Sequence, residues 1–169
     1  MRIFLIGILF FINLYSKEDI YFLPNDGKVA EKQIALLFSK AHNNIKIAIY
    51  SFTNKVFLKA LKKAARRGVK IKIVADYGSN KTSRYGSIVP QLRKLRNISV
   101  HLIDGKGNGR YKGIMHIKMF IIDDRVVSFG SANYTYSGFH NNYEILYIND
   151  DWTFTRKFLS IFDKLYKIR

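Results

Sequence analysis

Two hydrophobic periodicities alternate along the whole chain, and this alternation constrains the fold more than any other feature of the sequence. Runs rich in β-branched residues, such as NIKIAIYSF at 44–52 and VKIKIVAD at 69–76, predict strands. Segments with apolar residues at three- and four-residue spacing, at 29–42 and 54–67, predict amphipathic helices between the strands. Helices and strands that alternate in one chain pack in layers, so the predicted fold class is α/β.

The second half of the chain continues this pattern. Helices are predicted at 88–96 and 152–168, and strands at 98–103, 115–122, 126–129 and 144–148. The residues at 123–125 predict a tight hairpin turn, and the segment at 104–113, with four glycines in ten residues, predicts a mobile loop. We find no repeat and no linker, and 169 residues suit a single domain with one proper core.

The N-terminus predicts export. Arg2 gives a positive start, and residues 3–15 are almost purely apolar, which is the length of a signal-peptide core. A membrane-spanning helix needs about 20 such residues. Ser16 suits a cleavage point, whereas Leu14 does not suit the position three residues before the cut. We therefore expect residues 1–16 to act as a signal peptide or an N-terminal membrane anchor, and the protein to be periplasmic, secreted or membrane-associated.

The charge of the chain predicts a polyanionic partner. Lysine and arginine number 29 against 12 acidic residues, which gives a net charge of +17. Nucleic acid and an anionic membrane surface both match such a charge. A basic surface that is merely solvated is the alternative. The absence of cysteine excludes disulfides, thiolate zinc sites and a cysteine nucleophile.

The stretch from residue 116 to residue 144 carries the chemistry. On a strand, His116 and Lys118 point to the same face. An imidazole and an ammonium among apolar neighbours are costly to bury without a function. The predicted hairpin returns Ser131 and Asn133 to the start of that strand. A nucleophile, a cation and two neutral donors are what a phosphoryl group requires.

These residues resemble a known signature. The spacing His116-x-Lys118, four residues, Asp123, six residues, then Gly130-Ser131-x-Asn133 is similar to the HKD motif of the phospholipase D superfamily. Over about residues 20–169 the chain resembles the small bacterial single-motif endonucleases of the Nuc and NucT type. The resemblance implies a single phospholipase D-like α/β/α layered domain with a central mixed sheet, spanning residues 17–169.

The resemblance also implies a role for each residue of the motif. His116 would attack phosphorus and form a covalent phosphohistidine. Lys118 and Asn133 would bind the non-bridging oxygens, assisted by Ser131. Asp123 would be mainly an orienting and structural carboxylate, and we include it among the predicted catalytic residues.

A further acid and the question of a metal complete the predicted site. Glu144 matches the acid that hydrogen-bonds the catalytic imidazole in the family. We expect no cofactor and no metal dependence, because Lys118 supplies the positive charge that a metal would supply. A metal site built from His101, His116 and His140 lacks any zinc-type spacing.

In-line displacement predicts the assembly. The leaving oxygen departs opposite the nucleophile, where a second histidine is the natural proton donor. The chain holds one motif only. A two-fold homodimer would supply the second copy and form one composite site.

The glycine-rich segment before the catalytic strand predicts contact with substrate. It mixes cations with a ring that can stack on a base, which favours single-stranded nucleic acid, DNA before RNA. The residues concerned are Lys106, Arg110, Tyr111 and Lys112. The basic run at 62–67 is interpreted as solvated surface rather than a DNA groove. A phospholipase or cardiolipin hydrolase with the same chemistry and a non-enzymatic nucleic-acid binder remain as alternatives, and the intact motif argues against the binder.

Overall fold

The computed structural model describes residues 18–168, which form seven strands and six helices. The predicted leader at 1–16 lies outside this range. In the described part of the chain, no helix has the length and apolar character needed to cross a bilayer. In chain order the elements are β1 (Glu18–Leu23), α1 (Gly27–Lys40), β2 (Asn44–Ile49), α2 (Lys55–Arg66), β3 (Lys70–Asp76), α3 (Tyr77–Asn80), α4 (Val89–Leu92), β4 (Ile98–Ile103), β5 (Lys118–Ile122), β6 (Val126–Gly130), α5 (Tyr136–His140), β7 (Glu144–Asn149) and α6 (Trp152–Tyr166).

All seven strands lie in one mixed sheet with the order β1-β7-β6-β5-β2-β3-β4. Strands β2, β3 and β4 are parallel, whereas β5, β6, β7 and β1 pair with antiparallel neighbours. Lys118 therefore lies opposite Ile49, and Leu23 lies opposite Glu144. One edge of the sheet, across the strand direction, is formed by strand termini: the ends of β1, β2, β3, β4 and β6 and the starts of β5 and β7. We call it the His116 edge.

Two hydrophobic cores flank the sheet. On one face α1, α2 and α5 pack over a core that includes Phe38, Phe57 and Phe120. On the other face α6 packs over Met119 and Ile121 of β5, and Phe162 of α6 is buried in this second core. Strand β5 alternates between the two cores, which explains why every residue after Lys118 in this strand is apolar. The predicted α/β/α layering and central mixed sheet are confirmed.

Most predicted elements are present, with three omissions and one difference in detail. Strand β1 and the short helices α3 and α5 were not predicted. The segment at 104–113, predicted to be a mobile loop, folds back on itself, because Gly105 N donates a hydrogen bond of 3.0 Å to Gly113 O. A Cβ at Gly105 would lie 2.4 Å from the Ile114 carbonyl oxygen, so glycine permits this close approach.

The predicted hairpin between β5 and β6 is confirmed. Asp123 and Asp124 have φ values of 51° and 57°, as the tight turns that suit the strand twist require. The Asp123 carboxylate accepts hydrogen bonds from the backbone N–H groups of His42, Asn43 and Asn44, at 2.9, 2.7 and 3.0 Å. The carboxylate therefore ties this turn to the segment between α1 and β2.

This position bears on the role of Asp123, which the resemblance implies to be mainly orienting and structural. Seven residues of extended chain separate it from His116, on the order of 20 Å at the usual rise of a strand. Asp123 lies at the opposite end of β5 from the His116 edge. The contacts that the structure shows for Asp123 are backbone contacts that hold the turn, in keeping with an orienting and structural role, and its place in the catalytic set stays a prediction.

We expect Asp123→Asn to lower the free energy of unfolding by about 2 kcal/mol at neutral pH, because bonds to an ionised acceptor are lost. Burial opposes ionisation of Asp123, but the three backbone donors prevail and lower its pKa. Its stabilising effect is therefore present above the unfolded pKa and is lost as the pH falls through the folded pKa. Urea unfolding at neutral and acidic pH tests this.

The gap between parent and Asp123→Asn should shrink in acid. Asp163→Asn, on the exposed side of α6, is the matched control and should leave the unfolding midpoint unchanged. An equal loss of stability in the two variants, or a gap that does not depend on pH, would contradict the assignment.

Candidate active site

His116 and Lys118 form the centre of the site. Lys118 opens β5, and His116 lies just before the strand rather than within it. Lys118 Nζ is 2.9 Å from His116 Nε2 and donates to the His116 carbonyl oxygen, also at 2.9 Å. The two side chains share one face, as predicted. An ammonium has donors only, so it donates to Nε2, which leaves the imidazole proton on Nδ1.

Lys118 is a buried cation in an otherwise accessible site. It is 6% exposed, whereas His116 is exposed. Burial lowers the pKa of Lys118, and the negative charge of Glu144 partly offsets this. A desolvated ammonium attracts an anion more strongly than a hydrated one does. The pair therefore presents an accessible nitrogen beside a charge suited to a phosphate oxygen.

Tyr50 contacts both members of the pair and was missed by sequence reasoning. It follows β2, and its ring lies edge-on to the His116 ring with centroids 4.7 Å apart. Lys118 Nζ lies 5.6 Å from the centre of the same ring. Tyr50 N donates to Ile117 O at 3.0 Å, which holds the two segments together. The ring thus restricts the orientation of the imidazole.

Asp76 and Asn80 hold the backbone around His116 and were also missed. Asp76, which is buried at the end of β3, accepts a hydrogen bond of 3.1 Å from the N–H of Met115. Its second oxygen accepts from Ser79 N at 2.9 Å. The buried Asn80 amide donates to the Tyr50 carbonyl oxygen at 2.6 Å. These contacts fix the residue before His116 and the residue that packs on its ring.

The returning strand brings Ser131 and Glu144 to the same edge. Gly130 pairs with Leu146, and the Ser131 hydroxyl accepts from Ile145 N at 3.1 Å, which leaves its own proton available. A Cβ at Gly130 would lie 2.1 Å from the Ile145 carbonyl oxygen, so the glycine of the motif allows this contact. Glu144 opens β7 beside it.

The side-chain oxygen of Asn133 is not used by the fold. Its Oδ1 is buried and has no hydrogen-bond partner within the described part of the chain. Asn133 precedes the fully buried Tyr134, whose ring packs against Phe52 at 5.5 Å. The packing of Tyr134 therefore sets the position of Asn133, and the Asn133 side-chain oxygen is left without a hydrogen-bond donor.

The four predicted substrate residues lie on the folded segment that leads into His116. Lys106, Arg110, Tyr111 and Lys112 are all exposed. Lys112 Nζ forms an ion pair of 2.9 Å with Asp104, while no ion pair joins Lys106 or Arg110 to another residue in the range 18–168. The structure places them near the site without bringing them to His116 itself.

Two further tyrosines extend this surface and were not singled out from the sequence. Tyr77 follows β3, and Tyr85 lies in the next segment; they are 42% and 70% exposed. Lys81 Nζ and Lys112 Nζ lie 5.1 and 5.5 Å from the Tyr77 ring centre. Arg84 lies 5.6 Å from the Tyr85 ring. Exposed rings beside cations therefore border the His116 edge.

The histidines outside the motif do not join the site. His101 Nε2 contacts the carbonyl oxygen of Ile168, and His140 Nε2 lies 3.5 Å from Glu31. Within residues 18–168 there is no group of three or more histidine or acidic side chains that could hold a metal ion.

Comparison with known proteins adds a family and two similar structures. The family model described as "Cardiolipin synthase, PLD-like domain" matches residues 34–166. NucT from Helicobacter pylori superposes with a TM-score of 0.86 and 37% identity, over 90% of this chain and 97% of that chain. Nuc from Salmonella typhimurium, a phospholipase D family member, gives a TM-score of 0.73 and 25% identity, over 90% and 95%.

A curated relative carries a different name. The human protein "Mitochondrial cardiolipin hydrolase" is 29% identical over 145 residues, which cover 86% of this chain and 54% of the relative. The chain thus spans about half the length of that relative.

We expect Glu144→Gln to lower the pKa of Lys118 further, because the carboxylate is the charge that partly offsets burial. The ammonium would then lose its proton at a lower pH than in the parent. Titration of isotope-labelled lysine by NMR measures this directly. Asp163→Asn on α6 is the control and should leave the Lys118 titration in place; an unchanged titration in Glu144→Gln would contradict the coupling.

Proposed function

The chain belongs to the phospholipase D superfamily of phosphodiesterases, and from that premise we propose that it cleaves single-stranded nucleic acid, DNA in preference, at the composite site of a homodimer. The observation that carries this proposal is the row of exposed tyrosines beside cations along the His116 edge. Rings stack on unpaired bases without regard to sequence, and cations follow the phosphates. The high net charge supports the same substrate.

The proposed reaction starts from the His116–Lys118 pair. Because the proton is on Nδ1, the Nε2 lone pair is available once Lys118 turns from it to a non-bridging phosphate oxygen. Nε2 forms a bond to phosphorus, and the bond to the leaving oxygen breaks. A protonated His116 of the second subunit gives its proton to that oxygen. Water then attacks phosphorus and gives a proton to the now neutral second histidine, while the bond from Nε2 to phosphorus breaks, so the phosphate end is released and both histidines are restored.

The other motif residues would assist at the same phosphate. The Ser131 hydroxyl and the Asn133 amide N–H would donate to the non-bridging oxygens, and the Glu144 carboxylate would accept a hydrogen bond from Nδ1–H of His116. Lys106, Arg110, Tyr111 and Lys112 would bind the strand on either side of the scissile bond. The proposal includes no metal, because Lys118 supplies the charge.

A surface for the second subunit lies next to the site. Four apolar or aromatic residues of β1, β7 and the residue just before β7 are between 49% and 81% exposed, namely Ile20, Phe22, Tyr143 and Ile145. The Phe22 and Tyr143 rings stack at 5.9 Å. An exposed apolar patch of this kind is typical of an interaction site. It is continuous with Glu144, so a copy bound there would lie close to the half-site that requires it.

One alternative keeps the same chemistry with a lipid substrate. The similarity to a protein named as a cardiolipin hydrolase favours it. Residues 1–16 would then hold the site at a bilayer, and we also propose that they direct export. Detection of the chain in the cytosol alone would contradict export.

The composite site predicts how activity depends on the mixture of subunits. His116→Ala should lose essentially all turnover. When equal amounts of parent and His116→Ala are refolded together, the activity should be about one quarter of that of the same total amount of parent protein. The reason is that only parent–parent dimers carry both histidines. Independent sites would leave about one half. EDTA should change neither result, and a fully active monomer would contradict the proposal.

The substrate proposal predicts that Tyr111→Ala weakens binding of a single-stranded oligonucleotide about tenfold, as the loss of one stacked base requires. Gel assays on single- and double-stranded DNA and RNA, beside cardiolipin vesicles, compare the substrates. Tyr111→Phe, which keeps the ring, is the matched control and should bind as the parent does. Faster turnover of cardiolipin than of any nucleic acid would favour the lipid alternative.

A further inference from the structure

A groove between α1 and α2 lies outside the site described above. Both helices begin at the His116 edge and run side by side across one face of the sheet. The groove measures about 680 Å³, and aliphatic side chains form its floor, among them Ala35, Leu36, Val56 and Leu58. Leu36 and Val56 are 43% and 45% exposed, which is high for residues of a packed helix pair.

The charged residues around this groove, which form its rim, are all basic. Of the described residues that line it, none is acidic, and none of its cations forms an ion pair with another residue in the range 18–168. The α2 cations recur at three- and four-residue spacing and so lie on one side of the helix. The six rim residues are Lys32, Lys55, Lys59, Lys62, Lys63 and Arg66.

The composition of the groove selects among polyanions. Nucleic acid offers phosphates for the rim, but its bases require rings, and no aromatic residue lines the groove. An aliphatic floor would stay exposed beneath a bound strand. An anionic phospholipid offers a phosphate to the rim and hydrocarbon to the floor, so it satisfies both parts of the surface.

We propose that the α1–α2 groove binds the surface of an anionic phospholipid bilayer. The interpretation of residues 62–67 as a merely solvated surface is thereby replaced. The groove opens on the helix layer, whereas His116 lies at the edge of the sheet. When the protein is bound to a bilayer through the groove, the site around His116 therefore stays accessible. This contact involves the folded domain and is separate from any role of residues 1–16.

Vesicle sedimentation of the full chain tests the proposal. The probes are vesicles of phosphatidylcholine alone and of phosphatidylcholine mixed equally with phosphatidylglycerol. The ratio of the two affinities measures the electrostatic part of binding, and the comparison of the groove variant with a control variant elsewhere assigns that part to the groove. Lys59→Glu with Lys63→Glu should lower this ratio at least about tenfold. The matched control, Lys157→Glu with Lys164→Glu, makes the same charge change on the exposed face of α6.

A second variant separates the floor from the rim. Leu36→Gln keeps the net charge and the helix, and should weaken binding to the mixed vesicles several-fold by removing aliphatic contact. Circular dichroism and thermal unfolding check that each variant is folded. Expected together are a loss in the groove variants and little change in the α6 control.

Three results would overturn the proposal. The first is equal affinity of the parent for the two kinds of vesicle. The second is an equal loss in the groove and α6 variants, which would indicate net charge alone. The third is a loss of oligonucleotide binding in the groove variant as large as its loss of vesicle binding, which would indicate a nucleic-acid surface or a general polyanion surface.

Discussion

The rest of the site depends on one buried ammonium, that of Lys118. An unpaired charge in a protein interior is costly, so its surroundings have to compensate for lost water. Here the His116 carbonyl and ring nitrogen, the face of Tyr50 and the field of Glu144 do so. The same contacts orient the imidazole. The contacts that compensate the charge of Lys118 are therefore the same contacts that position the proposed nucleophile.

The mixed sheet makes this arrangement possible. Were β5 parallel to β2, Lys118 would lie at the far edge and the ends of β2 and β3 could not reach it. Because β5 is antiparallel, its start meets Tyr50 and Asp76 at the ends of those strands. Asp123 then falls at the opposite edge, where its carboxylate joins three backbone donors. One motif thus serves both ends of the same strand.

The sequence predicts what is encoded locally or in a spaced motif. The periodicity of β2, β3, α2 and α6 gave the layers, and the motif gave His116, Lys118, Ser131 and Asn133. Strand β1 was missed because charged residues open it and its solvent-facing residues Ile20 and Phe22 are apolar, so its sequence does not alternate between polar and apolar. Tyr50 was missed because an aromatic residue at a strand end looks the same whether it packs in a core or on an imidazole. Only the register of β2 with β5 distinguishes the two.

Part of the excess positive charge lies on two surfaces of different character. At the His116 edge cations lie beside exposed rings, whereas between α1 and α2 they surround aliphatic side chains. Positive charge attracts any polyanion. The uncharged side chains between the cations select the partner, because aromatic rings suit bases and aliphatic side chains suit hydrocarbon. The two surfaces also face different directions, since one follows the ends of the strands and the other the outer side of a helix layer. A polymer at the edge and a bilayer at the helices can therefore be bound at the same time.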